Sequence, residues 1–201
     1  MGDKDEIFIK DNLGEIHFNG DINQKNMSTL VNKLLDLESK ILKKCRSLKR
    51  KFREDEDDED TFVYRIEPNP IKLYITSHGG LVYQVFSAID TIKTMKIPVH
   101  TYVKGFAASA ATLLSLAGKK RFITENSYML IHELRAGSWG KFSQLKDDFN
   151  NHTVLNDHIK NYYIKNTKLT KEELDEQLKC DNIWNPDKCV EKGLIDEIIK
   201  C

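Results

Sequence analysis

The chain has 201 residues, 40% hydrophobic and 31% charged, and its 31 basic and 31 acidic side chains cancel to zero net charge. That length suits one domain with a sizeable core, and the balanced charge gives no global field toward nucleic acid or membrane. No apolar run approaches the roughly 20 residues of a membrane span, and the polar start Met1-Gly2-Asp3-Lys4-Asp5-Glu6 is unlike a signal peptide.

In chain order, hydrophobic patterning predicts strands over 7–9 and 15–18, then a long helix over 23–50. Met27, Leu30, Val31, Leu34, Leu37, Ile41 and Cys45 keep the apolar stripe of that helix. Its far end is basic: residues 40–53 hold eight positive charges, and 54–60 is an unbroken acidic run of seven. Such a run buries nothing and reads as a solvated, mobile loop, whose acidity would oppose phosphate binding by the basic part. Further strands are expected over 71–76, 99–103, 121–123 and 127–131, and helices over 80–95, 107–117, 141–165 and 170–179. Alternating strands and helices argue an α/β class with parallel pairing. The four cysteines (Cys45, Cys180, Cys189, Cys201) share no metal or disulfide spacing. A reducing, cytoplasmic setting is the expectation.

Two turns carry chemistry. Strand 71–76 breaks at His78-Gly79-Gly80, where a Gly-Gly pair lets the backbone turn tightly and leaves free N–H groups that suit an oxyanion. Strand 99–103 runs into Gly105-Phe106-Ala107-Ala108-Ser109-Ala110-Ala111, one hydroxyl among very small residues. A serine there can meet a substrate carbonyl beside backbone amides. The alternative is close helix packing with an incidental hydroxyl. A serine nucleophile also needs a base, and the base needs a group to orient it. Of six histidines, His17, His100, His152 and His158 lie on patterned strands or helices, His78 adjoins the Gly-Gly turn, and His132 ends an apolar strand at a sheet edge. The residues alone leave His132 and His78 both open.

Ser77-His78-Gly79-Gly80, Gly105-Phe106-Ala107-Ala108-Ser109 and Met129-Leu130-Ile131-His132, with Gly193-Leu194-Ile195-Asp196 near the end, together resemble the signatures of the Clp protease proteolytic subunit (ClpP) family, in the family's order. The resemblance covers about 7–199, interrupted by a charged insertion at about 43–62. It implies a crotonase-like α/β spiral of strand-strand-helix units, one protease domain over 1–201 with a handle region at 134–165. It implies a serine endopeptidase with Ser109 as nucleophile, His132 as base and Asp181 as orienting acid, ahead of its neighbours Asp175 and Asp187. The amides of Gly80 and Ala110 would form the oxyanion hole, and Gly79, Leu81, Val82, Leu134 and Gly137 would line an extended peptide. No cofactor or metal is implied, and no HExxH, P-loop or GxGxxG pattern occurs. Implied partners are an unfolded polypeptide substrate, further copies of the chain in heptameric rings that stack into a tetradecamer, and an AAA+ unfoldase. No nucleic acid or membrane partner is expected.

The sequence departs from the family at several points. His78 stands where proline is usual, Glu133-Leu134 replaces Gln-Pro, and Ala110 replaces a larger residue. The positions matching the unfoldase pocket are Lys72, Tyr74, Thr94, Tyr102 and Lys104; three are polar or charged, so that pocket reads as altered. A crotonase-type acyl-CoA enzyme and a catalytically silent ring subunit are the competing readings.

Overall fold

Burial alternates along the central strand. In β3 (Ile71–Ser77), Ile71, Leu73, Ile75 and Ser77 face the core while the residues between them are half-buried, the period of two that a sheet with one covered face requires. The computed structural model describes residues 6–10, 14–54 and 67–200, with side chains over 14–48 and 67–200. β3 lies in a sheet of order β1-β2-β3-β4-β5-β8, built from β1 (Glu6–Lys10), β2 (Glu15–Asn19), β4 (Val99–Ala108), β5 (Lys120–Thr124) and β8 (Glu197–Ile199). A branch of β6 (Tyr128–Leu130) and β7 (Ile183–Trp184) leaves from the far end of β4. The pairings are parallel except β1 with β2 and β6 with β7. The expected α/β class with parallel pairing therefore holds.

Helices cover one face. α1 (Gln24–Glu54) buries Met27, Leu30, Leu34 and Leu37 at helical spacing. Its Glu38 carboxylate accepts from the amides of Lys96 at 2.6 Å and Ile97 at 2.9 Å, which fixes the chain between α2 (Val82–Thr94) and β4. α2 buries Val85, Ala88, Ile89 and Ile92. α3 (Ala110–Ser115) is buried throughout. α4 (Phe142–Asn166) reaches the core only through its second half, at Ile159 and Tyr163. α5 (Lys171–Leu178) and α6 (Pro186–Glu191) follow, capped by Thr170 and Asn185.

The small-residue helix expected over 107–117 is shorter than its composition suggests. Ala107 and Ala108 belong to β4, and α3 begins at Ala110. The cause is tertiary: Phe106, Ala107 and Ala108 pair with Tyr128, Met129 and Leu130 of β6, and a ladder of backbone bonds outweighs alanine's preference for helix. β4 reaches β6 because the β3–β4 register shifts between Ile75 and Ser77, where Gly105 adopts φ +79°. The first half of β4 then pairs with β5 and the second half with β6. α1 runs past its expected end at 50 to Glu54. The insertion expected at 43–62 thus continues α1 through Glu54, and the rest of it, with most of the acidic run, lies outside the described residues. β7, α6 and β8 had no sequence signal, each being six residues or shorter.

Candidate functional site

Ser109 is the one described non-glycine residue with positive φ, at φ 56° and ψ −128°. A side-chain-bearing residue holds that conformation only where its surroundings over-determine it. Its amide donates to the Leu130 carbonyl at 2.8 Å, the next rung beyond the β4–β6 ladder. Its carbonyl accepts from the Thr112 amide at 3.0 Å and the Thr112 hydroxyl at 2.6 Å. Because that hydroxyl gives its single proton to Ser109, the Tyr163 hydroxyl 2.5 Å away must be the donor to Thr112. Tyr163 is fully buried, and burial pushes its phenol far above the ordinary tyrosine range, so it stays protonated as the donor. A chain of hydrogen bonds from α4 therefore pins the serine turn from beneath.

The Gly-Gly turn pins it from the side. A Cβ on Gly79 would fall 2.6 Å from the Ala108 carbonyl oxygen and 2.7 Å from the Ser109 Cβ, and Gly79 has φ +97°. Only glycine fits that approach. Gly80, at φ +143°, backs onto Ile22 in an isolated parallel bridge that uses the amides of Ile22 and Leu81. The bridge leaves the Gly80 N–H unused, and Ala110 is the first residue of α3, where an N–H has no partner within the helix. Among the described residues neither amide has an acceptor.

The β6 branch brings the other two candidates to this edge. Antiparallel pairing sets Met129 opposite Trp184 and Leu130 opposite Ile183; His132 lies two residues past Leu130 and Asp181 two residues before Ile183, both just outside this ladder. The Glu133 amide donates to the Leu178 carbonyl at 3.0 Å, which ties the segment after β6 to the end of α5. The side-chain contacts are looser than the register. The Asp181 carboxylate accepts from Arg135 Nη2 at 2.5 Å rather than from His132, and the half-buried His132 makes no hydrogen bond to Ser109 among the described residues. Of the expected peptide-binding positions, Leu81 and Val82 open α2 with Leu81 exposed, Leu134 is half-buried, and Gly137 has open space around it.

The competing residues are otherwise engaged. His78 packs against Phe106 with ring centroids 5.2 Å apart. Asp175 pairs with Lys160 at 2.6 Å, and Asp187 lies in the first turn of α6. Cys189 is buried, and burial pushes its thiol up to about 12, so it offers no thiolate at neutral pH. Asp196 of the Gly-Leu-Ile-Asp close takes both ends of the Arg121 guanidinium, which also donates to the Asn166 and Gly193 carbonyls. That motif is architectural. Among the described residues no group of three or more His, Cys, Asp or Glu is placed to hold a metal, and no helix is long and apolar enough to cross a membrane.

Three residues here had no assigned role in the sequence: Thr112, Tyr163 and Arg135. The first two carried a readable signal, since a threonine inside a buried alanine-leucine helix must find a hydrogen-bond partner. Arg135 had none, because its partner lies 46 positions away.

Comparison with known proteins agrees with this architecture. The family model described as Clp protease matches residues 62–201. The ATP-dependent Clp protease proteolytic subunit of Deinococcus radiodurans is 34% identical over 131 residues, which is 64% of this chain and 64% of that protein. The aligned part thus spans just under two thirds of that relative's length. With the family match extending over the serine turn, β6 and the Asp181 connector, the chain belongs to the Clp protease family.

Proposed function

We propose that the chain is a serine endopeptidase whose nucleophile is Ser109, whose general base is His132 and whose orienting acid is Asp181. The observation that supports this is the pairing of β6 with both β4 and β7: the Ser109 amide donates to Leu130 of β6, and His132 and Asp181 each lie two residues outside the β6–β7 ladder. His132 takes the hydroxyl proton as Ser109 Oγ attacks a peptide carbonyl, and Asp181 orients the imidazole and offsets its charge. The unused amides of Gly80 and Ala110 bind the oxyanion; losing one such donor costs on the order of 100- to 1000-fold in turnover. His132 then protonates the leaving amine, and water hydrolyses the acyl-enzyme. Catalytic hydrogen bonds are often long before substrate binds, so the open Ser109–His132 geometry is compatible with this role.

The substrate in this reading is an extended, unfolded polypeptide, bound beside Gly79, Leu81 and Val82 on one side and Leu134 to Gly137 on the other. The working form is a ring of several copies. Trp139, Phe142, Phe149 and Val154, exposed by 99%, 85%, 71% and 71%, form an apolar stretch before and along α4 that invites burial against another copy. An AAA+ unfoldase would meet the open face of the sheet, where Tyr74, Tyr102 and Phe122 stack with centroids 4.9 and 4.7 Å apart. There Lys72 is tied to Glu15 and Lys104 is exposed, a more polar surface than an apolar docking loop prefers.

A second reading has one observation in its favour. Because Asp181 pairs with Arg135, a catalytically silent ring subunit would look the same in outline. Fluorophosphonate labelling separates the two. Wild type should label, and Ser109→Ala and His132→Ala should not. A folded, ring-sized wild type that stays unlabelled would overturn the endopeptidase reading.

A further inference from the structure

Asp181 is held by the wrong partner for a charge-stabilising acid. Its Oδ2 accepts from Arg135 Nη2 at 2.5 Å, although His132 and Asp181 each lie only two residues outside the β6–β7 ladder. The segment carrying Arg135, residues 131–139, leaves β6 without regular secondary structure, and among its described backbone amides only that of Glu133 is tied, to Leu178. Both partners of the pair are open to water, at 73% and 57% side-chain exposure.

Resting on the endopeptidase reading, we propose that Arg135 is a positioning residue that decides which partner Asp181 takes: with no substrate its guanidinium holds the carboxylate away from His132, and the site couples when that pair opens. A guanidinium is always charged and offers forked donors, so it competes well with a neutral imidazole for one carboxylate. Exposure keeps the competition weak, since a pair in contact with water is only slightly stabilising. A peptide laid along Leu134 to Gly137 bonds the untied backbone on either side of Arg135 and moves that side chain. The consequence is a site that is pre-formed at the serine and gated at the acid.

The test compares wild type with Arg135→Ala, Arg135→Lys, Asp181→Asn and the Arg135→Ala/Asp181→Asn double variant. Two quantities are read: the rate of fluorophosphonate labelling of Ser109, and the deshielded Nδ1 proton of His132 in protein labelled with nitrogen-15 histidine. Arg135→Ala should label about two- to fivefold faster than wild type, the range an exposed ion pair can bias. It should also show the deshielded proton that a His132–Asp181 hydrogen bond produces. Arg135→Lys should fall between the two, and the gain should vanish in the double variant, where position 181 cannot stabilise an imidazolium. Slower or unchanged labelling in Arg135→Ala, or a gain that survives Asp181→Asn, overturns the proposal. If no variant labels, the serine chemistry itself fails and the proton resonance alone decides the role of Arg135: unchanged between wild type and Arg135→Ala, it removes the proposal as well.

Discussion

Ser109 sits where three backbone segments converge, whereas Asp181 sits on a connector and is met by one exposed arginine. The serine takes its amide bond from β6, its carbonyl bonds from α3 and its steric backing from Gly79. Those contacts are backbone or buried, so they cost little to maintain and are hard to perturb. The acid depends on side chains at the surface, where charge pairs are weak and exchangeable. Within one candidate site, then, the proposed nucleophile is built into the sheet and the proposed acid is held only at the surface.

The sharpest way to break the comparison is Gly79→Ala. The added methyl meets backbone at 2.6 Å and the serine's own Cβ, and it imposes a strained φ of +97°, so the Gly-Gly turn must move. Displacing the Gly80 amide and the serine together should lower fluorophosphonate labelling by on the order of 100-fold or more, while the far-UV spectrum keeps its native shape. Labelling within a few fold of wild type would mean that the turn does not present the serine.

Tyr163→Phe probes the same half from beneath, with a smaller effect. The phenol is the donor to the Thr112 hydroxyl, which in turn donates to the Ser109 carbonyl. Removing one oxygen from a fully buried pair leaves Thr112 without its donor and should destabilise the fold by about 1 kcal/mol in chemical denaturation. It should also slow labelling several-fold, because the bond holding the strained turn loses its support. A stability loss with unchanged labelling would assign Tyr163 to the core alone.

The same division decided what the sequence made visible. Local chemistry was legible: a Gly-Gly pair after an apolar strand and a serine among alanines each announce a turn within a few residues. The alternating burial of β3 and the apolar stripe of α1 also follow from periodicity. What the sequence could not show was long-range pairing. Ala107 and Ala108 look helical until β6 is placed beside them, and that pairing is reached only through the register shift near Gly105. His132 and Asp181 lie 49 positions apart, and what brings their segments near one another is β7, a two-residue strand. The resemblance to the Clp proteases selected both residues, but it gave no hint that Arg135 intervenes, because glycine-bearing loops of that kind carry no local signal for an ion pair.

Asp196 gives the mildest test, one that asks whether the architectural frame behaves independently of the site. Burial works against its charged form, but the hydrogen bonds and charge of Arg121 prevail and hold the carboxyl below the usual aspartate range. A depressed folded-state pKa means that this stabilisation is complete above the unfolded value of about 3.9 and fades as pH falls through the lower folded value. Asp196→Asn should therefore be less stable than wild type at neutral pH, and the two urea midpoints should converge as the solution is acidified. The effect stays small, since the Asp196 side chain is 40% exposed and water screens the pair. Arg121 also keeps its bonds to the Asn166 and Gly193 carbonyls, so β8 remains anchored and labelling at Ser109 should not change. Midpoints that run parallel across pH would show that the pair contributes no proton-linked stability. A change in labelling would show that the sheet edge at β8 and the serine at β4 are coupled, and the independence argued above would have to be given up.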